Sequence, residues 1–186
     1  LGSEAWSPHL AQCREVELFA DDQDECVMLT LHGNLSPEQG EAVARDMLAR
    51  LGGVVTVAIN SGRGCRAYGR PTLEYTLGEF RYHVSPGSFF QASRFLLSEL
   101  VAAVTGNAAG ALALDLFAGV GLFTLPLARR FSQVVAVELE RRAVADLQRN
   151  AETHAIQNVR SVRGSVLDFL RRFAPAAPEL VVLDPP

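Results

Sequence analysis

The stretch LALDLFAGVG, from Leu112 to Gly121, runs an apolar segment into Asp115, then through a glycine turn into an apolar segment that can open a helix. Beyond it strand-like and helix-like patterns alternate. Leu112 to Phe117 reads as a strand and the segment through Ala128 as a helix, with Pro126 tolerated in its first turns. Gln133 to Glu138 is a second strand, Arg141 to about His154 a helix, and Val159 to Arg163 a third strand. A short helix around Asp168 and a strand from Leu180 to Asp184 follow. Repeated strand-helix-strand crossovers imply a parallel, doubly wound α/β sheet.

Upstream the grammar differs. Glu15 to Phe19 and Cys26 to His32 read as strands joined by the acidic turn Asp21 to Glu25. Ser36, Pro37 and Gln39 form an N-cap, first helical residue and capping-box partner, and Gly52 and Gly53 end that helix after Leu51. Val43, Met47, Leu48 and Leu51 give the helix one face to bury. Val54 to Ile59 is a β-branched strand, and Leu73 to Leu77 with Glu79 to Val84 is a hairpin about Gly78. Ser93 to Val104 fits a helix with Phe95, Leu96, Leu100 and Val101 toward a core, followed by the small-residue linker Gly106 to Gly110. We therefore expect a small α+β lobe over residues 1–84 and the doubly wound domain over 85–186.

The 186 residues are 48% hydrophobic, enough for one ordinary core or two small lobes. No run of roughly 18 apolar residues and no charged-then-apolar N-terminal pattern occurs, which argues against membrane insertion and secretion and for the cytoplasm. Cys13, Cys26 and Cys65 are odd in number and lack a C-x-x-C pair, so neither a disulfide framework nor a structural metal is expected. All 17 basic residues are Arg and the net charge is -4, so the chain exerts no global pull on nucleic acid. Arg63, Arg66 and Arg70 form a candidate local phosphate patch, a solvated surface loop being the plain alternative.

Ligands of open α/β sheets bind beyond the carboxyl ends of the strands. Asp115, Glu138, the Gly164-Ser165 turn and Asp184 all fall there. Gly119 and Gly121 are followed by Thr124 where a dinucleotide fingerprint would carry its third glycine, and Asp115 would repel a pyrophosphate. A carboxylate beside a glycine turn instead suits a nucleotide-like cofactor with positive charge. S-adenosylmethionine, with an ammonium and a sulfonium, fits, and methyl transfer is the expected chemistry. Glu138, at the end of the next strand, suits ribose hydroxyls, although strand-end acids and Ser165 also serve as helix caps. Phe89, Phe90 and Gln91 form a further signal, either packing beside a base or acting as a hydrophobic staple.

Four segments together resemble a known family. SPGSFFQ (Ser85 to Gln91), DLFAGVGLFTLP (Asp115 to Pro126), Val137-Glu138 and Asp184-Pro185-Pro186 are similar to the RNA 5-methyluridine methyltransferases, the tRNA and 23S rRNA uracil-C5 enzymes. The likeness covers about Leu77 to Pro186. That family usually carries Cys at the place of Ala118 and Asn or Thr at that of Leu122. The resemblance implies an incomplete Rossmann-like class I methyltransferase sheet, with 23S rRNA placed ahead of tRNA as the substrate. It implies an S-adenosylmethionine site lined by Gln91, Phe117, Glu138 and Asp184, to which the strand-end and glycine-turn reading adds Asp115, Gly119, Gly121 and Ser165.

In the family a cysteine thiolate adds to uracil C6 and a glutamate removes the C5 proton. Both lie after the Asp-Pro-Pro turn, so no catalytic residue is expected up to Pro186. The strand Leu180 to Leu183 would leave an apolar edge and face, from which we expect a fragment whose continuation completes the sheet and which is inactive alone. An iron-sulfur cluster, usual in many members, would belong to a part preceding residue 1, and the target base would be flipped from single-stranded or loop RNA. The rival readings are an RNA cytosine-C5 or amine methyltransferase, and a non-catalytic cofactor- or RNA-binding module.

Overall fold

A computed structural model describes residues 6–61, 64–91, 94–172 and 177–185. Arg63, Ser93 and Pro186 lie outside the described residues. The chain divides into two compact units, Leu1–Glu74 with Ser85–Gly87, and Tyr75–Val84 with Ser88–Pro186.

In the first unit α1 (Ser7–Leu10) is followed by β1 (Cys13–Ala20), β2 (Val27–Gly33), α2 (Pro37–Arg50), β3 (Val54–Ser61) and β4 (Gly64–Gly69). The sheet order is β1-β2-β3-β4, with β2 and β3 parallel and both outer pairs antiparallel. The Asp21 carboxylate closes the β1–β2 turn by accepting the backbone N–H groups of Glu25 and Cys26 at 2.8 and 3.1 Å. The capping box is complete: Ser36 Oγ accepts the Gln39 N–H at 3.2 Å and Gln39 Oε1 accepts the Ser36 N–H at 2.9 Å. Val43, Ala44 and Met47 of α2 bury against Leu29, Leu31, Val57 and Ile59 of the sheet, with Trp6 completing the cluster. The segment read as a glycine-rich loop is in fact β4. Its edge position needs only one bonded flank, and its small residues and Arg66 hid the alternation that marks a strand. Arg66 and Arg70 are exposed there.

The second unit contains the hairpin of β5 (Leu73–Leu77, from Tyr75 onward) and β6 (Phe80–Val84), turning at Gly78 with φ 60°. The expected boundary at residue 84 therefore differs from the observed grouping by this hairpin. The reason is specific bonding: Asn150 and His154 of α5 (Arg141–Thr153, capped by His154) accept the backbone N–H groups of His83 and Arg81 at 2.7 and 2.9 Å.

A 3-10 turn (Arg94–Leu96) leads into α3 (Leu97–Thr105). The face expected inward is largely outward: Phe95 is 81% and Leu96 64% exposed, whereas Leu97 and Thr105 are buried. The helix starts at Leu97 rather than Ser93, and the tighter 3-10 turn shifts the phase so that Leu97, Val101 and Thr105 share the inward stripe.

The main sheet follows: β7 (Gly110–Leu116), α4 (Thr124–Ala128), β8 (Phe131–Glu138), α5, β9 (Val159–Arg163), α6 (Val166–Arg172) and β10 (Leu180–Leu183). Its order is β10-β7-β8-β9 and every pair is parallel, which makes it the doubly wound α/β sheet the alternation implies. Leu114, Leu116, Val135 and Val137 pack beneath Val166 and Phe169 of α6, while Ala136 packs with Leu147 of α5. Val181 and Leu183 are exposed on the β10 edge strand. Among the described residues no helix is long and apolar enough to cross a membrane.

Candidate functional site

Adjacent parallel strands deliver their carboxyl ends to one side of the sheet, so β7, β8 and β10 bring Asp115, Glu138 and Asp184 to neighbouring positions. Asp115 pairs across the register with Ala136 on one flank and Val182 on the other. It points to the α5 face of the sheet and is 1% exposed. Its Oδ2 accepts the Thr124 hydroxyl at 2.5 Å, while its Oδ1 is buried with no hydrogen-bond partner among the described residues. Burial pushes its pKa up to about 6; hydrogen bonds from Thr124 oppose the rise, and the nearby charges of Asp184 and Glu138 add to it. Thr124 carried no expectation from sequence, since a hydroxyl in an apolar helix start has no signature of its own.

The turn after β7 needs three left-handed residues: Phe117 at φ 66°, Gly119 at 53° and Gly121 at 98°. Glycine removes the Cβ penalty at two of them, whereas Phe117 keeps a side chain there and is 37% exposed. Such a non-glycine position costs about 1 to 3 kcal/mol and persists only where its surroundings hold it. Those surroundings are polar bonds. Glu138 Oε2 accepts the Gly119 N–H at 2.9 Å and Glu138 Oε1 accepts the Glu140 N–H at 2.7 Å, so one carboxylate orients both the glycine turn and the entry to α5. From the other side the Tyr82 hydroxyl donates to the Leu122 carbonyl at 3.1 Å, and Asn150 Nδ2 donates to the Val120 carbonyl at 2.9 Å. Burial above all, then the charges of Asp115 and Glu79, push the Tyr82 phenol up, so it stays a neutral donor.

Gln91 and Asp184 meet directly: Gln91 Nε2 donates to Asp184 Oδ2 at 2.8 Å across 93 positions of sequence. The preceding aromatics differ in their surroundings. Phe90 packs on Tyr75 and Tyr82, ring centroids 5.0 and 5.8 Å away, whereas Phe89 is 59% exposed. The Phe89 carbonyl lies 3.6 Å from where a side chain on Gly119 would begin, so the two segments line one locality. Gly164 donates to the Glu138 carbonyl at 2.9 Å, which places the β9 turn beside the same acid. Ser165 Oγ accepts the Asp168 N–H at 3.1 Å and thus caps α6.

Six of the eight residues singled out in the sequence therefore fall into three bonded groups: Asp115 with Thr124; Glu138 with Gly119 and the Gly164-Ser165 turn; and Gln91 with Asp184. Phe117 and Gly121 belong to the turn after β7. Leu139, 66% exposed beside Glu138, was not singled out. The set is three carboxylates and an amide beside a turn whose Gly119 and Gly121 carry no side chain, which suits a ligand offering hydroxyls and positive charge. Among the described residues no cluster of three His, Cys, Asp or Glu side chains could hold a metal. None of the three cysteines is in a disulfide, and burial raises the Cys13 thiol, the wrong direction for a nucleophile.

Comparison with known proteins converges on one group. A family model described as tRNA (uracil-5-)-methyltransferase matches residues 66–174. An uncharacterised RNA methyltransferase of Synechocystis is 39% identical over 142 residues, covering 74% of this chain and 28% of that protein. A tRNA/tmRNA (uracil-C(5))-methyltransferase of Neisseria meningitidis is 34% identical, covering 57% of this chain and 30% of that protein. The chain thus spans about a third or less of the length of these curated relatives. Among solved structures, the Pyrococcus abyssi tRNA (uracil-54, C5)-methyltransferase in complex with S-adenosyl-L-homocysteine superposes with a TM-score of 0.73 at 22% identity, covering 92% of this chain and 43% of that one. The Methanocaldococcus jannaschii tRNA m1G37 methyltransferase superposes with a TM-score of 0.61 at 14% identity, covering 99% and 56%. At these identities the likeness is one of fold, the Rossmann-like methyltransferase fold.

Proposed function

Because the chain belongs to the tRNA (uracil-5-)-methyltransferase family, we propose that it forms the donor-binding part of an enzyme that methylates uracil C5 in RNA with S-adenosylmethionine. The observation that carries this reading is the meeting of Gln91 with Asp184 and of Glu138 with the Gly119 turn at adjacent strand ends. The bound cofactor supplies an electrophilic methyl group.

The chain's own residues do the holding. Both Glu138 oxygens are fixed by backbone N–H groups, and each keeps a lone pair for a ribose hydroxyl. Asp184, fixed by Gln91 through Oδ2, offers Oδ1 to a cationic group. Phe117 presents half-exposed apolar surface at the turn, and Gly119 and Gly121 let the backbone come close to a ligand. Ser165, whose hydroxyl caps α6, lies in the turn after β9 beside Glu138. Asp115, buried beneath the turn, contributes field rather than contact. The nucleophilic addition to uracil C6 and the removal of the C5 proton belong, by the resemblance, to a cysteine and a glutamate after the Asp-Pro-Pro turn.

The family description and the Neisseria relative both name tRNA, which supports tRNA as substrate against the 23S rRNA preferred from sequence. Mass mapping of 5-methyluridine in tRNA and 23S rRNA from cells lacking the gene tests both. Loss of one methyl mark, restored by the gene, is expected and identifies the RNA. Unchanged 5-methyluridine in every RNA class refutes the reading.

A further inference from the structure

Helix α5 buries two polar side chains one turn apart. Asp146 is 2% and Asn150 0% exposed, on the stripe that otherwise carries Ala143, Leu147 and Ala151. Neither bond set is generic. Asp146 Oδ2 accepts the buried Ser88 hydroxyl at 2.7 Å. Asn150 Oδ1 accepts the His83 N–H, while Nδ2 donates to the carbonyls of His83 and Val120 at 3.2 and 2.9 Å. One helix face thus fixes the backbone of β6, the glycine turn at Val120, and the segment Ser88–Gln91.

That segment is fixed at three of its four residues: Ser88 to Asp146, Phe90 between two tyrosines, and Gln91 to Asp184. Apolar residues at 88 and 146 would bury equal surface without a preferred register. A buried hydrogen bond pays for its desolvation with a defined geometry instead.

From this we infer that Asp146, through Ser88, is a positioning residue for Gln91, setting the amide in place to orient Asp184 before any donor arrives. The inference rests on the donor-site reading above. Pre-organising a side chain removes an ordering cost from binding, and freeing this segment carries an affinity loss of about tenfold.

The test is a double-mutant cycle on the full-length protein, read as the calorimetric Kd for S-adenosyl-L-homocysteine. Ser88→Ala is expected to weaken binding about tenfold in the wild-type background, and to have no further effect in Gln91→Ala. Asp146→Asn, which keeps an acceptor for Ser88, is expected to bind within about twofold of wild type. A thermal scan on each variant shows that the fold is kept. An unchanged Kd in Ser88→Ala, or a full tenfold loss from Ser88→Ala when Gln91 is already absent, overturns the inference while leaving the donor site standing. If the wild-type protein itself binds no S-adenosyl-L-homocysteine, the donor-site reading fails and the inference with it.

Discussion

Replacing Asp115 by Asn isolates the energetic cost of a charge held under the glycine turn. In the unfolded chain this carboxyl ionises near 3.8, and in the folded protein at about 6. Between those values the folded state binds more protons, so folding stability falls as pH rises through that window and is level above it. A gap of this size corresponds to about 3 kcal/mol. Asn at the same place keeps an oxygen to accept the Thr124 hydroxyl and has no proton to lose. The stability of Asp115→Asn relative to wild type should therefore rise by about 3 kcal/mol between pH 4 and pH 7, whatever the two proteins' absolute stabilities. Urea denaturation at half-unit pH steps, followed by circular dichroism, measures it. Carboxylates remote from Asp115 cancel between the two proteins. A constant difference across the window would mean that the folded-state ionisation of Asp115 is ordinary, and the account of its burial would be wrong.

Three further outcomes are expected. If a cationic donor sits above Asp115, its Kd for S-adenosylmethionine should fall from pH 5 to pH 7 and then level, because the carboxylate must be ionised to attract it. The dependence should weaken in Asp115→Asn, and calorimetry showing a flat wild-type profile contradicts this. Glu138→Ala should weaken S-adenosyl-L-homocysteine binding by roughly 1 to 3 kcal/mol, since ribose hydroxyls lose an acceptor and Gly119 its anchor; an unchanged affinity removes Glu138 from the site. Ser36→Ala opens the α2 capping box and should cost about 1 kcal/mol in denaturant unfolding, and no loss would show that the Gln39 bond is not needed.

The sheet and its strand ends were legible because buried parallel strands write themselves as apolar runs, and each run here ended in an acid or a glycine turn. The capping box at Ser36 was equally plain, being purely local. What was hidden depended on distant partners. The strand β4 shows only in its pairing to β3, since its glycines, Arg66 and Tyr68 carry no alternation. The phase of α3 was misread because one 3-10 turn rotates every later residue. Asp146 and Asn150 stood in view as polar residues on an apolar stripe, and only the fold shows that Ser88 and Val120 receive them. Asp115, Glu138, Ser165 and Asp184 could be named from strand ends and Gln91 from the resemblance, yet the bond from Gln91 to Asp184 could not, because local pattern says nothing about groups 93 positions apart.

That long reach has a consequence during synthesis. The middle strands β7 and β8 can associate as soon as both have left the ribosome, but β10 joins the far flank of β7 only after everything between them has been made. A nascent chain ending before Asp184 has its glycine turn and no partner for Gln91. On the proposed donor site, a ligand-induced rise in protease resistance on stalled chains should switch on only once β10 has emerged.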